Sequence, residues 1–177
     1  MKNGIDVVAG GPPCQGFSVQ RRGSNTDSRN NLVLEYLRFV IDVRPKIFLM
    51  ENVGGLLSPR GCAILKKVKA ETLKAGYKIY IDKLDAYDYG IPQHRKRVFL
   101  VGLLQEKVKH FTFPDPIQNR AAYPKTVKDA IWDLLHLTVD QIPNHKADKL
   151  SAINVRRIMA LKPGQGRDSL PHDLQLK

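Results

Sequence analysis

The sequence predicts an α/β fold, a mostly parallel sheet with covering helices. Three observations carry that prediction. Short apolar runs rich in β-branched residues alternate with amphipathic stretches, Pro or Gly closes each amphipathic stretch, and the resulting order is βαβαββ.

The first run, "IDVVA" at 5–9, is continuous and apolar, the pattern of a strand buried on both faces. In "NNLVLEYLRFVIDVRP", Val33, Leu37, Val40 and Ile41 recur at helical spacing, with Glu35, Arg38 and Asp42 opposite. Asn31 can cap this helix and Pro45 stops it. "PKIFLMENV" is the second strand. "SPRGCAILKKVKAETLKAGY" predicts a second helix with Ser58 as N-cap and Pro59 in the first turn. It places Ile64, Leu65, Val68 and Leu73 on one face and Gly76 at the end. "YKIYIDKL" (77–84) and "RVFLVGL" (97–103) are two further strands. After Phe113 the texture changes. "FPDPIQNRAAYP" is loop-like, and "TVKDAIWDLLHL" is a short helix with Thr126 as cap and Asp129 three residues on. A helix near 150–161 leads to "KPGQGRDSLPHDLQLK", which has little apolar periodicity.

Hydrophobic content of 42% and charged content of 26% fit a soluble globular domain with a real core. No apolar run approaches the ~20 residues that span a bilayer, and no basic-then-apolar leader opens the chain. A cytoplasmic location is expected. There Cys14 and Cys62 stay reduced, and without a CxxC pair they do not form a structural zinc site. The net charge of +12 is divided nearly evenly between the two halves, and such a field attracts a polyanion, most simply nucleic acid.

Chemistry enters at "GGPPCQGFS", where Cys14 follows the first strand on a stiff turn. In a right-handed crossover, Cys14 and Glu51 sit at the carboxyl ends of adjacent parallel strands and face one crevice. In "QHRKR", Arg95 and Arg97 share a face of extended chain while His94 and Lys96 point the other way. The arginines lie at the N-terminal end of their strand. They reach that crevice only if the strand runs antiparallel, which the connection without a helix permits.

Several cysteine chemistries compete. A phosphatase-type loop needs Arg where Gln20 stands, dithiol redox lacks a partner thiol, and a papain-like site lacks a nearby histidine. A buried inert thiol fits Cys62 on its helix face, and fits Cys14 poorly. Alone, Glu51 could be a turn cap, and the arginine pair a solvated strand start.

Taken together, "GGPPCQGFS", "ENV" and "QHRKR", with the intervening "DSRNNLVLEYLRFVIDVRPKIFLMENV", resemble the C5-cytosine DNA methyltransferase family over residues 1 to about 113. The resemblance implies a Rossmann-like methyltransferase fold, here the second half of its mixed sheet with the last strand antiparallel. It implies residues 1–113 as a partial catalytic domain and 114–177 as the start of a target-recognition region. It also implies that Cys14 adds to cytosine C6, which activates C5 to accept the methyl group of S-adenosylmethionine. The same resemblance has Glu51 hold N3 and the exocyclic amine, Arg95 hold O2, and Arg97 brace the site. Gln15, Ser18 and Gln93 would contact double-stranded DNA around a base flipped from the stack, and Pro13 and Leu32 would line the methionine side of the cofactor.

Two features depart from the family. The glycine-rich turn that holds the cofactor and its acidic ribose partner are not seen, and "GQG" at 164–166 follows no strand. The family's last motifs are not seen either. The expectation is a fragment or one subunit of a split enzyme, with weak cofactor binding alone and association with itself or with a complementary N-terminal half. An RNA methyltransferase of the same fold and a non-catalytic DNA-binding subunit are the alternatives. No metal is implied.

Overall fold

Four strands form one sheet in the order β1-β2-β4-β3 in the computed structural model. The structure describes residues 4–13, 31–117, 122–123, 126–138, 140–146 and 148–175. The strands are β1 (Val7–Gly10), β2 (Ile47–Val53), β3 (Tyr77–Asp85) and β4 (Lys96–Leu104). β1 and β2 pair in parallel, with Ala9 opposite Leu49. β4 enters between β2 and β3 and is antiparallel to both. Three strands therefore run one way and β4 runs against them, as the short connection without a helix predicts.

Helix α1 (Asn31–Val43) crosses from β1 to β2, and α2 (Cys62–Lys74) from β2 to β3. Both cover the same sheet face. Val33 and Leu37 of α1, Val68 of α2, Leu56, and Met50, Val98 and Leu100 of the sheet form one buried cluster. Each such side chain removed from water stabilises the fold by about 1.5–3 kcal/mol. Next to this cluster, Phe48 and Tyr77 meet edge to face at 5.3 Å, and the buried Tyr77 hydroxyl donates to Pro45 O at 2.6 Å. The Phe48 ring lies on Gly102, its cross-strand partner, where any Cβ would collide with it. Arg44 ends α1 in the left-handed region at φ 52°, and its guanidinium donates to Ala75 O at the end of α2.

Three sequence expectations change. β1 is buried on one face only, because both covering helices lie on that side; Val8 is buried while Ile5 and Val7 are exposed. α2 begins at Cys62 rather than at Pro59. Residues 54–57 form a 3-10 turn, Ser58 caps its end by donating to Gly55 O, and Gly61 approaches the Leu56 carbonyl too closely for a Cβ. The buried face of α2 accordingly runs through Leu65, Val68 and Thr72, whose hydroxyl donates to Val68 O. Leu73, about 140° round the helix from Val68, is 72% exposed. Cys62 is also exposed, not the buried inert thiol that its position suggested.

The chain divides into two compact units, 1–132 and 133–177. In the first, α3 (Val127–Ile131) starts at the predicted capping box: Asp129 N–H donates to Thr126 Oγ1 and Thr126 N–H to the Asp129 carboxylate. In the second, α4 (Ala152–Met159) is joined by two 3-10 turns, 167–169 and 172–174. Arg157 donates to Leu174 O at 2.8 Å, and Leu170 and Leu174 are buried. That gives the aperiodic tail a small core of its own.

Candidate active site

Two of the predicted residues, Glu51 and Arg97, meet where the carboxyl end of β2 lies beside the amino end of β4. Strand alternation puts Glu51 and Val53 on one face of β2, and antiparallel register sets Arg97 opposite Val53. Arg97 is thus the diagonal neighbour of Glu51, and its Nε lies 2.8 Å from Glu51 Oε1. The carboxylate is 37% exposed and the guanidinium 25%, so the pair opens to solvent at the sheet edge. Arg97 also donates to Lys96 O at 2.8 Å.

The turn after β1 comes up against this pair. A Cβ at Gly11 would stand 3.3 Å from Glu51 Oε2, and one at Gly10 only 2.6 Å from the Tyr36 ring. Glycine at both positions lets the backbone pass between a carboxylate and an aromatic ring. Tyr36 secures the strand beneath, its hydroxyl lying 2.9 Å from Leu49 O and 3.3 Å from Val8 O. Burial pushes its pKa up to about 12. Asn52, only 3% exposed, fixes the turn itself. Its Nδ2 donates to Pro12 O at 3.0 Å, and its Oδ1 accepts Val53 N–H at 2.9 Å. Asn52 has no chemical role in the ENV motif as the sequence presents it. A short polar residue one position before the end of a mostly apolar strand is the available signal.

Cys14, Gln15 and Ser18 lie outside the described residues, beginning immediately after Pro13. Pro13 and Leu32 are both exposed, Leu32 in the first turn of α1. Gln93 is exposed, with its N–H donated to Ile91 O. Arg95 has an exposed side chain and, among the described residues, no ion pair, so the structure pairs Glu51 with Arg97 and not with Arg95.

The backbone of Arg95 is held by Asp85. The Asp85 carboxylate accepts Arg95 N–H at 2.8 Å, Tyr87 N–H at 3.2 Å and His94 Nδ1 at 3.1 Å. Burial pushes this carboxyl up, but the hydrogen bonds from His94, Tyr87 and Arg95 and the charge of His94 outweigh it, and its pKa lies below the usual value. His94 stacks on Tyr87 at 4.3 Å. Sequence reasoning missed Asp85, because its partners arrive from ten residues further along.

S-adenosylmethionine needs an apolar contact for its methionine side and polar partners for its ribose. Pro13 and Leu32, which the resemblance assigns to the methionine side, are exposed apolar side chains. Among the described residues, no group of three or more His, Cys, Asp or Glu is placed to hold a metal ion.

Residues 1–167 match the family described as C-5 cytosine-specific DNA methylase. The chain is 45% identical over 132 residues to the type II methyltransferase M.FnuDI of Fusobacterium nucleatum, covering 73% of this chain and 38% of that protein. It is 34% identical over 177 residues to the type II methyltransferase M1.HphI of Haemophilus parahaemolyticus, covering 97% and 46%. A crystal structure of an E. coli DNA modification methyltransferase encoded within a prophage superposes with a TM-score of 0.55. Its identity is 34%, over 72% of this chain and 34% of that one. The chain spans less than half the length of each.

Proposed function

The chain belongs to the C-5 cytosine-specific DNA methylase family, and from that premise we propose that it carries the base-activating half of a DNA cytosine-5 methyltransferase. The observation that supports this most is the Glu51–Arg97 pair against Gly11, three residues before Cys14. A thiol delivered there meets a carboxylate that can grip a pyrimidine edge and a guanidinium that fixes that carboxylate.

The chemistry follows from cytosine's low nucleophilicity at C5. The Cys14 thiolate forms a bond to C6, and the ring's electron pair becomes available at C5. Glu51 accepts a hydrogen bond from the exocyclic amine and passes its proton to N3 as negative charge develops there. Arg97 holds Glu51 in the orientation this requires, and Arg95 holds O2. S-adenosylmethionine supplies the methyl group when bound, with Pro13 and Leu32 against its methionine side. The C5 proton then passes to water, its bonding electrons re-form the C5–C6 double bond as the thiolate leaves C6, and N3 returns its proton to Glu51. A free thiol of pKa about 8.5 is only a few per cent ionised at neutral pH, so nearby arginines favour the reactive form. The base must leave the duplex, since C6 is inaccessible within the stack. Gln15, Ser18 and Gln93 are the proposed contacts to double-stranded DNA, and residues 114–177 the start of the region that reads its sequence.

Among the described residues β1 has a neighbouring strand on one side only, and its first residue, Val7, and the preceding Ile5 are exposed. This supports association through β1 with a complementary N-terminal half or a second copy. Among the described residues no helix is long and apolar enough to cross a membrane, and the proposed setting is the cytoplasm, in association with the nucleoid.

Duplex DNA with 5-fluorocytosine at the target tests the mechanism, since C5–F cannot release a proton and the Cys14–C6 bond persists. With cofactor and any complementary part present, a denaturation-resistant adduct is expected, and Cys14→Ser abolishes it. An adduct that survives this change or maps to the exposed Cys62 overturns the assignment.

A further inference from the structure

The connection from β3 to β4 leaves the sheet at Asp85 and returns at Lys96, two residues that face each other across the strand pair. Between them the chain makes a 3-10 turn (Ala86–Tyr89), a left-handed Gly90 and the segment that carries Gln93, His94 and Arg95. Its base is closed by two backbone hydrogen bonds, Ala86 N–H to Arg95 O at 3.1 Å and Ile91 N–H to Ala86 O at 3.3 Å. The Asp85 carboxylate adds a second closure. Oδ1 takes the N–H of Tyr87 on the outgoing limb and of Arg95 on the returning limb, while Oδ2 takes His94 Nδ1. The stacked rings of Tyr87 and His94 tie the same two limbs together from outside.

We infer that Asp85 is the positioning residue for Arg95, fastening both limbs of the 86–95 excursion so that the Arg95 guanidinium is presented at the sheet end that holds Glu51 and Arg97. The contrast between the arginines carries this. Arg97 lies within β4 and is held by strand register and by its own ion pair with Glu51. Arg95 lies before the strand begins, and its side chain makes no ion pair among the described residues. Its placement therefore depends on its backbone, and Asp85 accepts that backbone's only N–H. A charged acceptor holding two N–H groups of a turn is stronger than a neutral one. It also leaves the turn with unsatisfied donors when removed. This inference rests on the proposed role of Arg95 at the base.

The test has two arms. In the first, amide hydrogen exchange of the 177-residue chain is compared with that of Asp85→Ala and Asp85→Asn. Exchange of the Arg95 and Tyr87 amides should accelerate at least tenfold in Asp85→Ala while Leu100 and Val101 stay protected. Asp85→Asn, which keeps an acceptor oxygen for both N–H groups, should restore most of the protection. Unchanged protection at Arg95 in Asp85→Ala overturns the inference whether or not the chain acts on DNA.

In the second arm, the rate of adduct formation with 5-fluorocytosine DNA is measured for Asp85→Ala, Arg95→Ala and the double variant. A displaced contact group can cost about a hundredfold, and Asp85→Ala should approach the loss seen in Arg95→Ala, with no further loss in the double variant. Losses that multiply in the double variant mean that Asp85 acts elsewhere, and also overturn the inference. A wild-type chain that forms no adduct even with cofactor and the complementary part supplied, but has a normal first arm, counts against the proposed function and leaves the positioning role supported.

Discussion

At the scale of single residues, the site is built from side chains whose partners are backbone atoms. Tyr36 bridges two carbonyls of adjacent strands, Asn52 holds the carbonyl of Pro12, and Asp85 collects two N–H groups. Tyr36 makes this testable through pH. Its folded pKa of about 12 lies above the ordinary tyrosine value of about 10, so the neutral phenol favours the native state. That contribution is complete below pH ~10 and is lost as pH rises through about 12. Tyr36→Phe should cost about 1 kcal/mol at neutral pH and flatten the alkaline fall in stability. Tyr77, also raised by burial, retains part of that fall. Urea midpoints at pH 8 and pH 11 check this, and parallel alkaline losses in both proteins would assign the effect to other groups. Asp85 acts on the acid side: its lowered pKa gives stability that is present near neutrality and lost as pH falls through that pKa. Glu51 and Arg97 were legible from residue type and strand end. Asp85 and Asn52 were not, because their value lies in which backbone atoms tertiary folding brings to them.

At the scale of elements, the strands were legible because apolar β-branched runs have few alternatives, and the reversal of β4 followed from the missing helix. The start of α2 was not. It depends on Gly61 fitting against the carbonyls of Gly55 and Leu56, a contact with no periodic signature. Leu73 faces outward because it stands about 140° round the helix from Val68, and Cys62, the first residue of α2, is exposed as well. The β2–β4 pairing yields a sharper prediction. Phe48 fills the space that a side chain at Gly102 would need. Gly102→Ala should destabilise the protein by about 1–3 kcal/mol through overpacking, and Phe48→Leu in the same chain should recover part of it. Calorimetric melting of the three variants checks this, and an unaltered Tm in Gly102→Ala would show that the ring has other room.

At the scale of the whole molecule, the composition forecast a basic surface, and the sheet order shows what the chain must accomplish to make its site. Among the described residues β4 is the last strand in sequence, yet it sits in the interior of the sheet, between β2 and β3. Consider synthesis from the N-terminus. Until residue 104 has left the ribosome, Glu51 has no Arg97, β2 and β3 are not joined, and the turn before Cys14 rests on an unfinished edge. Local helices cannot substitute, since the decisive contacts are long-range and close slowly. The order of translation thus withholds the reactive arrangement until the sheet is whole. Nascent chains arrested with residues 1–95 exposed should be cut rapidly by protease within β2, whereas those exposing residues 1–117 should resist; equal resistance in both would show that the sheet closes without its central strand. The Glu51–Arg97 contact is thereby withheld until β4 emerges, because the strand that joins β2 to β3 is made after both of them.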